Sequence, residues 1–272
     1  VLRNSAPVMV DKKEYSGVVF FLFFTFFFVP VACVTVAIMF AVWHFNVSAG
    51  GMQIGLVELV DKHGIAAVTT HLVSPVINPT LSAVKSELLS KAQGNVLEVG
   101  PGFGENLRFY EQNAVNLTVL EPNAHMHTLI VQEAEDIGMS LRLIKGAVET
   151  AGMDITQGLK ANSFDFVVST MTLACVQDQN QALKRIHFLL KPGGRLLFLE
   201  QDGFPVGSTW KLVEMILAPL WRWSSGGCTF GRGIIGRIKH MKGSKPRMVE
   251  QFSGRLAGLG IPFSYGMIEK LL

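Results

Sequence analysis

The alternation of apolar and polar residues changes character twice along this chain. From Val18 to Phe45 about 28 residues pass without a charged side chain, and nine of them are phenylalanine. As a helix that stretch would measure roughly 42 Å, longer than a bilayer's hydrocarbon core and than the apolar core of a cleaved signal peptide. The pattern predicts a retained membrane-anchor helix, or a hairpin bent at Pro30 that returns the chain to its starting side. Arg3, Lys12 and Lys13 before the stretch outweigh Lys62 after it, which places the N-terminus in the cytosol. Ile54, Val57, Leu59 and Val60 then recur at helical spacing between Met52 and about Val76. Asn78-Pro79 reads as a turn. Thr80 to Ala92 predicts an amphipathic helix with Leu81, Val84, Leu88 and Leu89 on one face.

Beyond Gly94 short apolar runs alternate with helical spacing. Val96–Val99, Leu117–Leu120, Leu141–Ile144, Phe164–Val168 and Arg195–Leu199 predict five strands. Helices are predicted from near Glu105, over Ala124–Asp136 and over about Gln179–Leu190, and Lys191-Pro-Gly-Gly194 predicts a turn. Strands separated by helices imply an α/β fold with a mainly parallel sheet covered on both faces. The expected organisation is a flank and anchor over 1–47, a linker or interfacial helix over 48–79, a core over 80–205 and a C-terminal region over 206–272. The tail from Gly254 to Leu272 gives no clear hairpin pattern.

The first strand carries the most specific signal. Asn95-Val-Leu-Glu98-Val-Gly100-Pro-Gly102-Phe-Gly104 is an apolar run that enters a turn with glycine at alternate positions. Such a turn lets backbone approach a ligand with no Cβ in the way. About twenty residues after Gly100 the second strand ends in Glu121, where a carboxylate can accept both hydroxyls of a ribose. The spacing G-x-G-x-G departs from the dinucleotide pattern G-x-G-x-x-G.

Composition changes the picture in three places. A hydrophobic content of 49% and a mean hydropathy of +0.35 are high, and the Phe-rich segment is the main source. The formal net charge of +3 is too small and dispersed to argue for nucleic acid. Arg232, Arg237, Lys239, His240, Lys242, Lys245 and Arg247 form a local cluster that reads as a solvated face or as a site for anionic headgroups. Cys33, Cys175 and Cys228 show neither metal spacing nor a disulfide framework, which fits a reduced, cytosol-facing domain with no metal site.

The order Glu98–Gly104, Glu121-Pro-Asn123, Phe164–Thr170 and Leu190-Lys-Pro-Gly-Gly194 resembles the class I, Rossmann-like doubly wound methyltransferases of the type 11 group over about residues 80–200. Within it, Gly104-Glu-Asn-Leu-Arg-Phe-Tyr110, Thr172-Leu-Ala-Cys-Val176, Trp210, Pro219-Leu-Trp221 and Gly226-Gly-Cys228 resemble the membrane-anchored methyltransferase-like family. That family includes the alkyl-thiol S-methyltransferases of endoplasmic reticulum and lipid droplets. It often has a histidine where Gln201 follows Glu200 here.

The resemblance implies S-adenosyl-L-methionine as cofactor. Gly100, Gly102 and Gly104 would pack on its methionine and ribose, Glu98 would orient the loop or the ammonium, and Glu121 would take the ribose hydroxyls. Asn123, Ala147 and Glu149 would lie near the adenine, and Thr170 under the methionyl end. The acceptor would be a small apolar molecule such as a thiol, with the bilayer as partner, no nucleic acid, and a membrane location facing the cytosol. A thiol reacts as thiolate, and Asp202 is a weak candidate for its base. Trp210, Trp221 and Trp223 with Pro219 either wall an acceptor pocket or pack at a membrane interface; Cys228 reads as a buried packing residue, and His125 and His127 as surface histidines. The rival readings are a silent membrane or lipid-droplet protein that kept the fold, and an NAD(P)-dependent oxidoreductase, which would need a G-x-G-x-x-G loop and a Tyr/Lys pair.

Overall fold

Among the described residues, seven strands form one mixed sheet in the order β3-β2-β1-β4-β5-β7-β6. The structure, a computed structural model, describes residues 62–153, 158–229, 233–256 and 259–272. These residues all fall in the unit Leu59–Leu272. Helix α1 (Lys62–Leu89) precedes β1 (Gly94–Val99), β2 (Val115–Glu121), α2 (Ala124–Asp136) and β3 (Leu141–Lys145). Then come β4 (Phe164–Thr170), α3 (Gln179–Leu189), β5 (Leu190–Gln201), α4 (Thr209–Ser224), α5 (Ile234–Lys239), β6 (Ser244–Leu256) and β7 (Leu259–Lys270).

The strands that read as continuous apolar runs are those covered on both faces. One face sets Leu97, Val167, Leu196 and Phe198 against Ala182 and Ile186 of α3 and Ile235 and Ile238 of α5. The other sets Val96, Val119, Val168 and Leu197 against Leu81 and Leu88 of α1, Met126 and Ile130 of α2, and Phe263 of β7. Polar groups register the sheet's lower edge. Asp165 accepts the Asn95 N–H at 2.9 Å and pairs with Lys191 at 2.7 Å, joining the beginnings of β1, β4 and β5. Asp178 caps α3 by accepting from the N–H groups of Asn180 and Gln181.

Several expectations need correction. A single helix α1 runs through Pro75 and Pro79, where a turn was expected. Its anchoring explains this: Leu81, Leu88 and Leu89 are fully buried, and tertiary packing outweighs the local penalty of proline. The 190–194 segment belongs to β5: Leu190 pairs with Phe164, and pairing resumes at Arg195 against Phe166 after the Pro192-Gly193 excursion. The tail forms a complete antiparallel hairpin, β6 with β7, and β7 also pairs with β5. Within the basic cluster, Arg247 pairs with Glu269 and Arg237 donates to Asn180.

The membrane reading is also corrected. Among the described residues no helix is long and apolar enough to cross a membrane. The longest of these, α1, carries Lys85 and Glu87 and packs Leu81, Leu88 and Leu89 into the core. The anchor expected over Val18–Phe45 lies outside the described residues. The anchor helix or hairpin, the bilayer as partner and the endoplasmic-reticulum or lipid-droplet location are therefore not carried forward.

Phe198 is fully buried in the sheet's centre. Phe198→Ala is expected to destabilise the fold by about 3–5 kcal/mol, read from urea unfolding. A loss below about 1 kcal/mol would mean that the face is loosely packed.

Candidate active site

The strand order reverses between β1 and β4, and that reversal opens a crevice at the carboxyl ends of the parallel strands. The glycine loop leaves β1 there. Gly100 and Gly102 have φ of +61° and +60°, the left-handed region that L side chains rarely adopt. A Cβ on Gly100 would lie 2.4 Å from Thr172 Cγ2, so this residue is also pressed against the turn after β4. A Cβ on Gly102 would meet nothing nearer than Thr70 Cγ2 at 4.0 Å, so the middle of the loop borders open space. Gly104 backs onto Leu107 and Glu133.

The helix expected from near Glu105 is replaced by a single 3-10 turn, Leu107–Phe109. The physical reason lies beneath it. Glu98 is fully buried and needs donors, and the tight turn supplies two. Asn106 Nδ2 donates to Glu98 Oε1 at 2.6 Å and to Thr170 Oγ1 at 2.6 Å, while the Tyr110 hydroxyl donates to Glu98 Oε2 at 3.0 Å. Burial raises the Glu98 pKa, opposed by the Asn106 and Tyr110 hydrogen bonds and by Lys85. Asn106 Oδ1 is buried without a partner.

Glu121 ends β2 at 6% exposure, with Oε1 accepting the Asn123 N–H at 2.9 Å. The Gly102 N–H also bonds this carboxylate, which ties it to the glycine loop. Burial pushes its pKa up to about 7 against those two hydrogen bonds. Asn123 caps α2 by accepting from the His125 N–H at 3.1 Å. His127 Nε2 lies 2.9 Å from the Glu121 carbonyl. After β3, Ala147 starts the 3-10 turn Val148–Thr150, and Glu149 accepts the Gln177 N–H at 2.7 Å. The structure thus brings Glu98, Gly100, Gly102, Thr170 and Glu121 around one crevice, with Asn123, Ala147 and Glu149 along its β2–β3 side.

Sequence reasoning missed Asn106, Tyr110 and the role of Glu200. Glu200 is fully buried on the opposite face of the sheet, where Oε1 accepts from Ser169 Oγ (3.0 Å), Thr172 N (3.2 Å) and Leu173 N (3.0 Å). It therefore holds the turn that packs on Gly100. Burial raises its pKa to about 7, against these hydrogen bonds. An acid in an apolar strand, such as Glu98 or Glu200, was the available signal. Asp202 stands apart, past the end of β5. It accepts hydrogen bonds from Ser264 and Gln251 and lines an open cleft with Pro205, Phe252 and Phe263.

Two further expectations change. Cys175 and Cys228 form a disulfide, which overturns the reading of no disulfide framework, and Cys228, read as a buried packing residue, is half-buried and bonded. The two lie 53 residues apart, a separation without a recognisable spacing, and only the fold brings them together. On α4, Trp223 is 44% exposed while Trp210 and Trp221 are half-buried, and Trp210 approaches the Phe204 ring at 6.2 Å between centroids.

A strand-order reversal, a glycine loop with an open middle and a carboxylate at the next strand's end are the features with which Rossmann-type folds bind nucleosides. The chain belongs to the methyltransferase-domain family, whose model matches residues 77–230. It is 29% identical to human thiol S-methyltransferase TMT1B over 189 residues, 66% of this chain and 75% of the relative. It is likewise 29% identical to human thiol S-methyltransferase TMT1A over 183 residues, 64% of this chain and 72% of that one. Among solved structures it resembles the [4+2]-cyclase SpnF (TM-score 0.58, 15% identity, 78% of this chain and 96% of that one). A second is an S-adenosylmethionine-dependent methyltransferase from Methanosarcina mazei (TM-score 0.53, 16% identity, 70% and 97%). At such identity the solved structures speak for the fold alone.

The protein is an S-adenosylmethionine-dependent methyltransferase, and S-adenosylmethionine is its cofactor. The residues present fit that molecule. The open side of Gly102 admits a ligand against backbone, Glu121 offers a buried acceptor for hydroxyls, and Asn106 Oδ1 is a buried acceptor lacking a donor. The expected membrane-anchored branch of the family is corrected to a class I fold related to the thiol S-methyltransferases.

The raised pKa of Glu121 gives a pH dependence with a definite sign. Between its ordinary value of 4.5 and about 7, the folded protein holds a proton that the unfolded chain has released. Its contribution to stability therefore falls as pH rises through that window. Cofactor hydroxyls favour the ionised carboxylate, so affinity has the opposite slope. Calorimetric titration between about pH 8 and pH 6 is expected to show cofactor binding weakening toward about tenfold per pH unit on the acid side. Glu121→Gln is expected to flatten the curve. An unchanged slope in that variant would contradict the assignment.

Proposed function

We propose that this methyltransferase methylates the sulfur of a small thiol. The observation that carries the reading is the similarity, over about two thirds of the chain, to two proteins named thiol S-methyltransferases. In this reading residues 80–205 form the cofactor-binding core and 206–272 the acceptor side, including α4 and the β6–β7 hairpin.

When bound, the cofactor supplies a methyl group on a sulfonium, ready for in-line displacement by a thiolate. The protein's task is then to hold donor and acceptor aligned and to keep water out. The backbone of Gly100, Gly102 and Gly104 faces the methionine and ribose, and Glu121 accepts the ribose hydroxyls. Asn123, Ala147 and Glu149 border the adenine. Thr170 and Glu98, joined through Asn106, shape the methionyl end, where Asn106 Oδ1 accepts from the ammonium. The residue that takes the acceptor's thiol proton is unassigned; Asp202, in the cleft it lines with Pro205, Phe252 and Phe263, is the candidate.

Transfer of a radiolabelled methyl group to a panel of small thiols, phenols and amines tests the acceptor class. Label is expected on the thiols; label on phenols or amines alone would overturn the reading. Glu121→Ala is expected to weaken cofactor binding at least tenfold, because charge-assisted hydrogen bonds are worth roughly 1.5–3 kcal/mol each. Asp202→Asn is expected to lower kcat by about a hundredfold or more while leaving cofactor affinity unchanged, and an unaltered kcat would remove it as the base.

A further inference from the structure

The Cys175–Cys228 disulfide joins two parts of the site that the chain otherwise connects only through 53 residues. Cys175 closes the turn after β4, its N–H donating to the Thr172 carbonyl at 2.8 Å. Glu200 holds that turn from below, and the Thr172 hydroxyl donates to the Gly100 carbonyl at 3.0 Å. The turn is thus part of the cofactor-side frame. Cys228 lies just past α4, in a segment where the Thr229 N–H donates to the Ala174 carbonyl at 3.2 Å. One turn earlier, the Ser224 carbonyl accepts from Thr69 Oγ1 of α1 at 2.7 Å. Helix α4 has a weak hold of its own. Glu214 is its one buried residue, while Leu212, Met215 and Ile216 are 57%, 62% and 67% exposed. Both cysteines are half-buried, neither sealed in the core.

We propose that Cys175–Cys228 is a thiol-reducible staple that fixes the end of α4 against the cofactor-side turn and, when opened, frees that helix to move. A small thiolate attacks one sulfur of the pair. The S–S bond breaks, its electrons pass to the other sulfur, and that sulfur takes a proton. A second thiolate attacks the outer sulfur of the mixed disulfide and releases the remaining cysteine thiolate, which is protonated in turn. Two small thiols are oxidised to one small disulfide, and the protein disulfide is reduced to two thiols. The reverse exchange, with a low-molecular-weight disulfide as oxidant, closes the staple. The staple rests on the bond and its placement, and stands whether or not the methyl acceptor is a thiol.

Hydrogen exchange read by mass spectrometry on the full chain, before and after treatment with glutathione, tests this, with alkylation reporting Cys175 and Cys228 peptide by peptide. Alkylation of these two residues is expected only after glutathione. Reduction is expected to speed exchange about tenfold or more over residues 222–229 and 172–176, leaving β1 to β4 unchanged. Cys228→Ser and Cys175→Ser should exchange fast from the start and not respond further to glutathione. Should neither variant fold, the two arms of the unmodified chain decide. Alkylation of both cysteines in protein never exposed to reductant would overturn the proposal. So would equal exchange in those segments before and after reduction.

Discussion

A carboxylate buried near the carboxyl end of β1 constrains everything built around it. Glu98 lies at zero exposure in a sheet covered on both faces, and its charge must be met by donors from nearby. Asn106 and Tyr110 meet it, which holds the chain after the glycine loop in a single tight turn instead of a helix. The same Asn106 amide reaches Thr170 at the end of β4. The ends of β1 and β4, which already pair in the sheet, are therefore tied together by one further side chain. The glycine loop between them is left with an open side at Gly102.

Glu200 performs the corresponding task on the other face of the sheet. It gathers Ser169, Thr172 and Leu173 and so sets the turn that leans on Gly100. The glycine loop is thus framed twice, from beneath by Glu98 and from the side by the turn that Glu200 holds. Glu121 completes the frame by taking the Gly102 N–H as well as that of Asn123. Three buried acids at three strand ends would be costly without these donors. Together they are why the crevice is preorganised before any ligand enters.

The fold of the core was legible because its signals are local. Apolar runs buried on both faces gave β1 to β4, and the spacing over Ala124–Asp136 gave α2 with the observed ends. The hairpin escaped notice because β6 is the sheet's edge, where Lys245, Arg247, Glu250 and Gln251 interrupt the alternation that marks a half-buried strand. The run of α1 through Pro79 and the meeting of Cys175 with Cys228 depend on tertiary contacts that no local pattern carries. In the site, Gly100, Gly102 and Glu121 were readable from spacing. Asn106 was not, since its importance comes from what lies beneath it in space.

The central claim is that the nucleoside of the cofactor occupies the crevice framed by Glu98, Glu121 and Glu200, clasped by Glu121. A crystal structure with S-adenosylhomocysteine bound tests it most directly. The account predicts both ribose hydroxyls within hydrogen-bonding distance of the Glu121 carboxylate and a donor from the amino-acid end on Asn106 Oδ1. A nucleoside bound elsewhere, or a ribose turned away from Glu121, would contradict it.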